Sequence, residues 1–466
     1  MPKMNFEIRV ADFNDEYFAL TVIDAPKLGP DLARKSFPIA KHALMALIED
    51  LSPDLTQAVN SKDNALRAHR SAADISLQEF GRALFDLVIW RQQGALTESW
   101  GDFAESSGQA RRLRLSLANA AAALPWEALL DGHKLNGCPA RLFSVVRYIP
   151  TSPPLQPLDI GAEPLRILVV FADPYGGLSD GLPEEASFQK ERAAIKAALQ
   201  SAESRKDLCI DFVGPGAGRT LDLIKAKVAE HKYHVLHFFG HGHSTGQGQL
   251  EFEGARGESE LVGWGQLQRV LEPTLSSLRL VVLNSCELAQ LDEELVTYSP
   301  FSNLAGSFLN AGAAMVIAMQ FPIRTATATR FTDEFYKYLG PRLFASAEDV
   351  EDAVVQGRGA IENEPNAVEW ITPVVFTRVQ DDTIFRFGPF REARALLDQG
   401  LLIDAALKVK EGLEQDPKSE EGLRLERDLL DKAAAMIERL DPTGGEIVDA
   451  LHRPTSITER RPPNGQ

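Results

Sequence analysis

The sequence predicts an α/β protein: a mostly parallel central sheet covered on both faces, with an α+β part before it and a helical hairpin after it. Three observations carry that expectation. From Arg166 onward, short apolar runs alternate with helical stretches. Runs such as RILVVF and LRLVVL are apolar at nearly every position, as strands buried on both faces must be. The rhythm also changes on either side, with a Pro-rich connector at 149–164 and almost unbroken helical patterning after residue 385.

In chain order, NFEIRV and YFALTVI flank the polar stretch ADFNDE and read as a β-hairpin. Residues 39–50 and 77–93 carry apolar residues at helical spacing, with a polar stretch at 52–75 between them. Strands follow at 113–117 and 143–148, separated by Pro125-Trp126-Glu127 in an apolar surround. Past the connector, strands are expected at 166–171, 209–213, 235–239, 279–283, 314–319 and 372–378. Helices are expected at 184–203, 219–231, 264–271, 302–311, 325–339 and 347–363. Residues 250–253 and 260–262 form a small excursion hairpin. The expected organisation is an α+β part at 1–150, a catalytic α/β domain at 165–385, a helical appendage at 390–440 broken near 415–418, and a disordered tail at 441–466.

Composition narrows the function classes. Of 466 residues, 44% are hydrophobic and 25% charged, ordinary globular proportions. A net charge of −17 and a pI near 5.1 argue against a chain built to coat nucleic acid or an anionic membrane. The cysteines Cys138, Cys209 and Cys286 are far apart and form no CxxC pair, which points to a reducing compartment. The N-terminus lacks a secretory apolar core, and no run approaches ~18 apolar residues, so a cytoplasmic setting without a membrane span is expected.

The chemistry concentrates where two apolar runs stop. YHVLHFFGHGHS ends in Gly240-His241-Gly242, and LRLVVLNSCE ends in Ser285-Cys286. In parallel sheets, ligands bind beyond the carboxyl ends of the strands, and Asp173, His241, Cys286 and the segment after Met319 all fall on that edge. A cysteine beside an imidazole is an activated nucleophile. The N–H groups of Gly242 and Cys286 are candidate oxyanion donors. Taken singly, each residue has a plainer reading, since a cysteine at a strand end usually packs and a histidine after a strand is often just polar loop. Their joint placement on one rim favours a site. His231, His234, His237 and His243 crowd the same stretch, but without HExxH spacing no metal is expected. The GPGAG run lacks the following Lys-Ser/Thr of a phosphate loop, so no cofactor is expected either.

GHG after one strand and NSCE after the next resemble the CHAT-domain branch of caspase-like cysteine peptidases, related more distantly to caspases and separase. LPWEALLDG, NLAGSFLNAGAAMVIAMQFPI, FTDEFYKYL and WITPVVFTR resemble further segments of that family in the same order, so that residues ~5–385 are covered. The resemblance implies a caspase-like three-layer sandwich. It also implies an endopeptidase acting on a protein substrate through a thioester, with Cys286 as nucleophile and His241 as general base and acid. Where the family often carries acidic residues, this chain has Arg324-Thr325-Ala326. Asp173 falls near the place where relatives put a substrate-pocket residue, so Asp173 and Arg324 are the pocket candidates. Residues 391–438 resemble a single tetratricopeptide-type unit. A regulatory protein partner at these helices, and a bacterial stress or defence role, are implied at the same level. The competing reading is a catalytically silent scaffold that keeps the fold for protein–protein interaction; a metal-dependent hydrolase is the third.

Overall fold

The computed structural model describes residues 3–440 apart from 27, 34, 48–66, 107–109, 118, 123, 136, 151–154, 162, 173–184, 216–217, 244–247, 286–299, 322, 363–366 and 381. Asp173, Cys286 and the tail at 441–466 therefore lie outside the described residues. The chain divides into two compact units, Met1–Arg386 and Phe387–Gln466.

In the first unit, the front part supplies β1 (Met4–Asp12), β2 (Tyr17–Asp24), β3 (Ser36–Ala40), β4 (Arg111–Leu117) and β5 (Ser144–Tyr148). The connector carries a short strand, β6 (Leu158–Gly161). Then come β7 (Leu165–Phe171), β8 (Leu208–Val213) and β9 (Val235–Gly240). A small antiparallel sheet of β10 (Gly242–His243), β11 (Gln249–Glu253) and β12 (Ser259–Gly263) leaves the main layer there. The chain re-enters it through β13 (Leu280–Ser285), β14 (Met315–Met319) and β15 (Pro373–Thr377).

One sheet holds eleven of these strands in the order β3-β2-β1-β4-β5-β15-β14-β13-β9-β7-β8. The run from β8 to β14 is parallel, β15 turns antiparallel to β14, and β5, β4 and β1 run parallel to β15. The Pro-rich connector marks a change in rhythm but no break in the hydrogen-bonded layer, because β5 pairs directly with β15 through Val146 and Val375. Leu168, Val170, Leu236, Phe238, Val281, Leu283, Val316 and Ala318 bury one face of the parallel half in a core shared with helices Thr220–Glu230, Trp264–Leu275 and Pro300–Asn310. Helices Glu185–Ser204, Thr325–Leu339 and Ala347–Glu362 pack together on the opposite side. This layering is the caspase-like three-layer α/β sandwich. No helix among the described residues is long and apolar enough to cross a membrane.

Two local differences from the sequence reading have clear causes. Residues 39–50 read as helix, yet Ser36–Ala40 is a strand and the helix begins at residue 41. Pro38 cannot donate to a ladder, and β3 is the outermost strand, where one side needs no donor. Phe37 and Ile39 bury alternately as a strand requires. The helix Ala95–Glu105 was not expected; it is short and separated from its predecessor only by Gln93 and Gly94, both at positive φ. Its Leu96, Trp100 and Phe103 are fully buried, so tertiary packing supports it.

The second unit contains helices Pro389–Asp398, Leu402–Gln415 and Glu420–Leu440. A second break, beyond the expected one near 415–418, falls at Gly400, whose φ of 77° ends the first helix. Ala393, Leu397, Ala405, Val409, Leu425 and Leu429 form its core.

Candidate active site

The parallel pairing of β9 with β13 sets the geometry of the rim. Its register runs from Val235 opposite Leu280 to Gly240 opposite Ser285. His241 is the next residue on one strand, and Cys286, outside the described residues, is the next in sequence on the other. The two strands therefore end their paired register at the same level, Gly240 against Ser285.

Gly240 is required here by space. A Cβ on it would lie 2.7 Å from the Ala172 carbonyl oxygen and 2.9 Å from Phe238 Cζ. Ala172 N–H donates to Phe239 O at 2.9 Å, so the end of β7 is drawn tightly against the end of β9. Half-buried His241 is held through its backbone, its carbonyl accepting from Glu251 N–H at 3.0 Å. That bond makes His241 and Glu251 a hydrogen-bonded pair, and the following pair, Gly242 with Leu250, is of the other kind. The Gly242 N–H is thus directed away from β11.

The front part braces the rim at β14. Trp126 is buried, with Nε1 donating to Ala121 O at 2.7 Å. Glu127 is fully buried and accepts from Arg147 of β5, Nε to Oε1 at 3.2 Å and Nη2 to Oε2 at 2.8 Å. Gln320, the residue after β14, joins them: its Nε2 donates to Glu127 Oε2 at 3.0 Å and its Oε1 accepts from Arg147 at 2.9 Å. Arg324 stands at the N-cap of the helix Thr325–Leu339. Its guanidinium donates to Glu369 through Nε at 3.0 Å and Nη2 at 2.9 Å, and Thr327 Oγ1 donates to the same carboxylate at 2.6 Å. Arg324 therefore presents a paired charge. Asp173 directly follows Ala172, outside the described residues.

Of the crowded histidines, His234 Nδ1 accepts from Arg166 N–H at 2.9 Å. His237 is fully buried on β9, with Nδ1 3.1 Å from the Tyr336 hydroxyl and Nε2 3.5 Å from Glu191 Oε1. Neither Asn284 nor Glu191 is among the site residues read from the sequence. The structure puts Asn284 inside β13, fully buried, with Nδ2 donating to Glu191 Oε1 at 3.3 Å. The available signal was a large polar side chain within each of two mainly apolar strand runs, His237 in VLHFFG and Asn284 in LVVLNS. Nothing local marks Glu191 among the charged residues of its helix.

The CHAT domain family matches this chain over residues 78–374. None of the curated proteins matches it. Among solved structures, a chain of the Saccharomyces cerevisiae separase–securin complex is 11% identical, with 82% of this chain and 30% of that chain covered and a TM-score of 0.45. A second structure of that complex aligns at 11% identity over 80% of this chain and 30% of that chain, with a TM-score of 0.48. The Porphyromonas gingivalis RgpB pro- and mature-domain complex is 10% identical, covering 71% of this chain and 76% of that chain, with a TM-score of 0.34. The present chain thus spans about 30% of the length of the separase-complex chains it matches.

Proposed function

The chain belongs to the CHAT-domain family, and on that premise we propose that it is a caspase-like cysteine endopeptidase with Cys286 as nucleophile and His241 as general base and acid. The register of β9 against β13 is the main support, since its last pair is Gly240 with Ser285, and His241 and Cys286 are the residues that follow these two in sequence.

In the proposed reaction, His241 takes the Cys286 proton, and the thiolate attacks the scissile carbonyl carbon. A C–S bond forms as the carbonyl π electrons move to oxygen. The N–H of Gly242, directed away from β11, and that of Cys286 stabilise the oxyanion. The His241 imidazolium then protonates the departing amine, the C–N bond breaks, and a thioester remains. Water, deprotonated by His241, attacks the thioester; the acid is released and the thiol regenerates.

The substrate is a protein segment, with Asp173 and Arg324 beside its P1 side chain. Because Glu369 meets the charge of Arg324, the two act at the rim as a neutral pair. A regulatory protein at the helices of the second unit and a cytoplasmic role in a bacterial stress or defence response complete the proposal. The test is covalent labelling by a peptidyl cysteine-reactive probe. Labelling of the wild type that disappears in Cys286→Ala and falls sharply in His241→Ala is expected. A wild type that never labels under any activating condition would instead identify a scaffold.

A further inference from the structure

β9 and β13 lie in the middle of the sheet, where both faces are covered and an apolar side chain suits every position. His237 and Asn284 break that rule, on one face, at full burial. The partner they share is Glu191 from the helix Glu185–Ser204, also fully buried. Glu191 Oε1 accepts from Asn284 Nδ2 at 3.3 Å and lies 3.5 Å from His237 Nε2. The same amide donates to Thr332 Oγ1 at 2.8 Å and Ala328 O at 3.2 Å on the helix Thr325–Leu339. A carbonyl can only accept, so the amide nitrogen must face this side. Tyr336, from that helix, reaches His237 Nδ1; burial, with the Glu191 charge adding to it, raises its phenol well above the ordinary range and keeps it neutral. The groups facing the Glu191 carboxyl are thus His237 from β9, Asn284 from β13 and Tyr336 from the facing helix.

Such a cluster stabilises a fold no better than apolar side chains of the same volume would. Its position suggests another use. Strand side chains alternate, so His241, directly beyond β9 and four residues after His237, returns to the face of His237. At ~3.3 Å per residue, the cluster lies on the order of 10 Å below His241.

We propose that Glu191, clamped by Asn284 and His237, is a positioning residue for the His241–Cys286 pair. It ties the ends of β9 and β13 to two helices, and its carboxylate favours the imidazolium of His241 and the neutral thiol of Cys286. The proposal rests on the peptidase reading of that pair. At ~10 Å and an effective dielectric of ~20, one charge displaces a titration by about one pH unit.

Alkylation of Cys286 by iodoacetamide, followed against pH by peptide mass spectrometry on the full chain, tests it. Wild type, His241→Ala, Glu191→Gln and Glu191→Asp are compared, with melting temperatures recorded alongside. We expect a His241-dependent thiolate in the wild type, with both inflections moved down by about one pH unit in Glu191→Gln and retained in Glu191→Asp. Packing alone predicts the reverse order, since Gln keeps the shape and Asp keeps the charge. Should Glu191→Gln fail to fold, Glu191→Asp decides: wild-type inflections at a lowered melting temperature support the role, and displaced inflections overturn it. Inflections unmoved in a folded Glu191→Gln overturn the role of Glu191 and leave the pair standing. If Cys286 titrates as an ordinary thiol whether or not His241 is present, the peptidase reading falls, and this proposal with it.

Discussion

Glu127→Ala is expected to do far more damage than its distance from the rim suggests. Glu127 is fully buried, and Arg147, whose side chain is 4% exposed, donates to both of its oxygens. Arg358, equally deep, has its pKa lowered by burial, and Glu127 is the largest charge acting against that shift. Removing the carboxylate therefore strands a buried guanidinium, deprives a second of its counter-charge, and takes one acceptor from Gln320 at the end of β14. Breaking one buried pair from one side costs about 3–5 kcal/mol. Urea denaturation of the first unit, followed by tryptophan fluorescence, measures the loss, and Arg147→Met and the double variant Glu127→Ala/Arg147→Met complete a cycle. The double variant should be more stable than either one-sided change, with a coupling of about 2 kcal/mol or more. A Glu127→Ala protein within about 1 kcal/mol of wild type, or effects that simply add, would refute the reasoning.

Gly240→Ala should displace the end of β7, because its methyl would sit 2.7 Å from Ala172 O; overpacking of about 1–3 kcal/mol and a probe-labelling rate down by about a hundredfold are expected, and unchanged labelling would count against the rim geometry. Burial pushes the Cys138 thiol up to about 12 from an ordinary 9.0. The folded state thus holds that proton more tightly than the unfolded chain, so this contribution is present below pH 9.0 and is lost as pH rises from 9.0 toward 12. Cys138→Ala should flatten the alkaline side of the stability profile by about 2 kcal/mol near pH ~10.5, as read from urea midpoints at each pH. Glu369→Gln removes the counter-charge of Arg324 and should raise cleavage of peptides with an acidic P1 residue relative to neutral ones; no change in a peptide-library profile would place Arg324 outside the pocket.

Much of the parallel half was legible because its signals are local. Strands buried on both faces write themselves as apolar runs, and helices between them as periodic ones; the stretch 325–339 was read to the residue. The ends of β9 and β13 were legible for the same reason, since two such runs stop at Gly240 and Ser285. The front part was harder. β3 holds a proline that its edge position tolerates, and the helix Ala95–Glu105 depends on burying Trp100 and Phe103 against residues far away in sequence.

By itself, the sequence determined the alternation that builds a parallel sheet and where its central strands end, because periodicity and strand ends are properties of neighbouring residues. Only the tertiary structure decided which strands adjoin, that β5 continues the sheet through β15, and that Arg324 is met by Glu369. It alone brought Glu191 beneath the rim against Asn284, across 93 positions of chain. Pairing and burial bring together groups remote in sequence, and their charges acquire meaning only once water is excluded from around them.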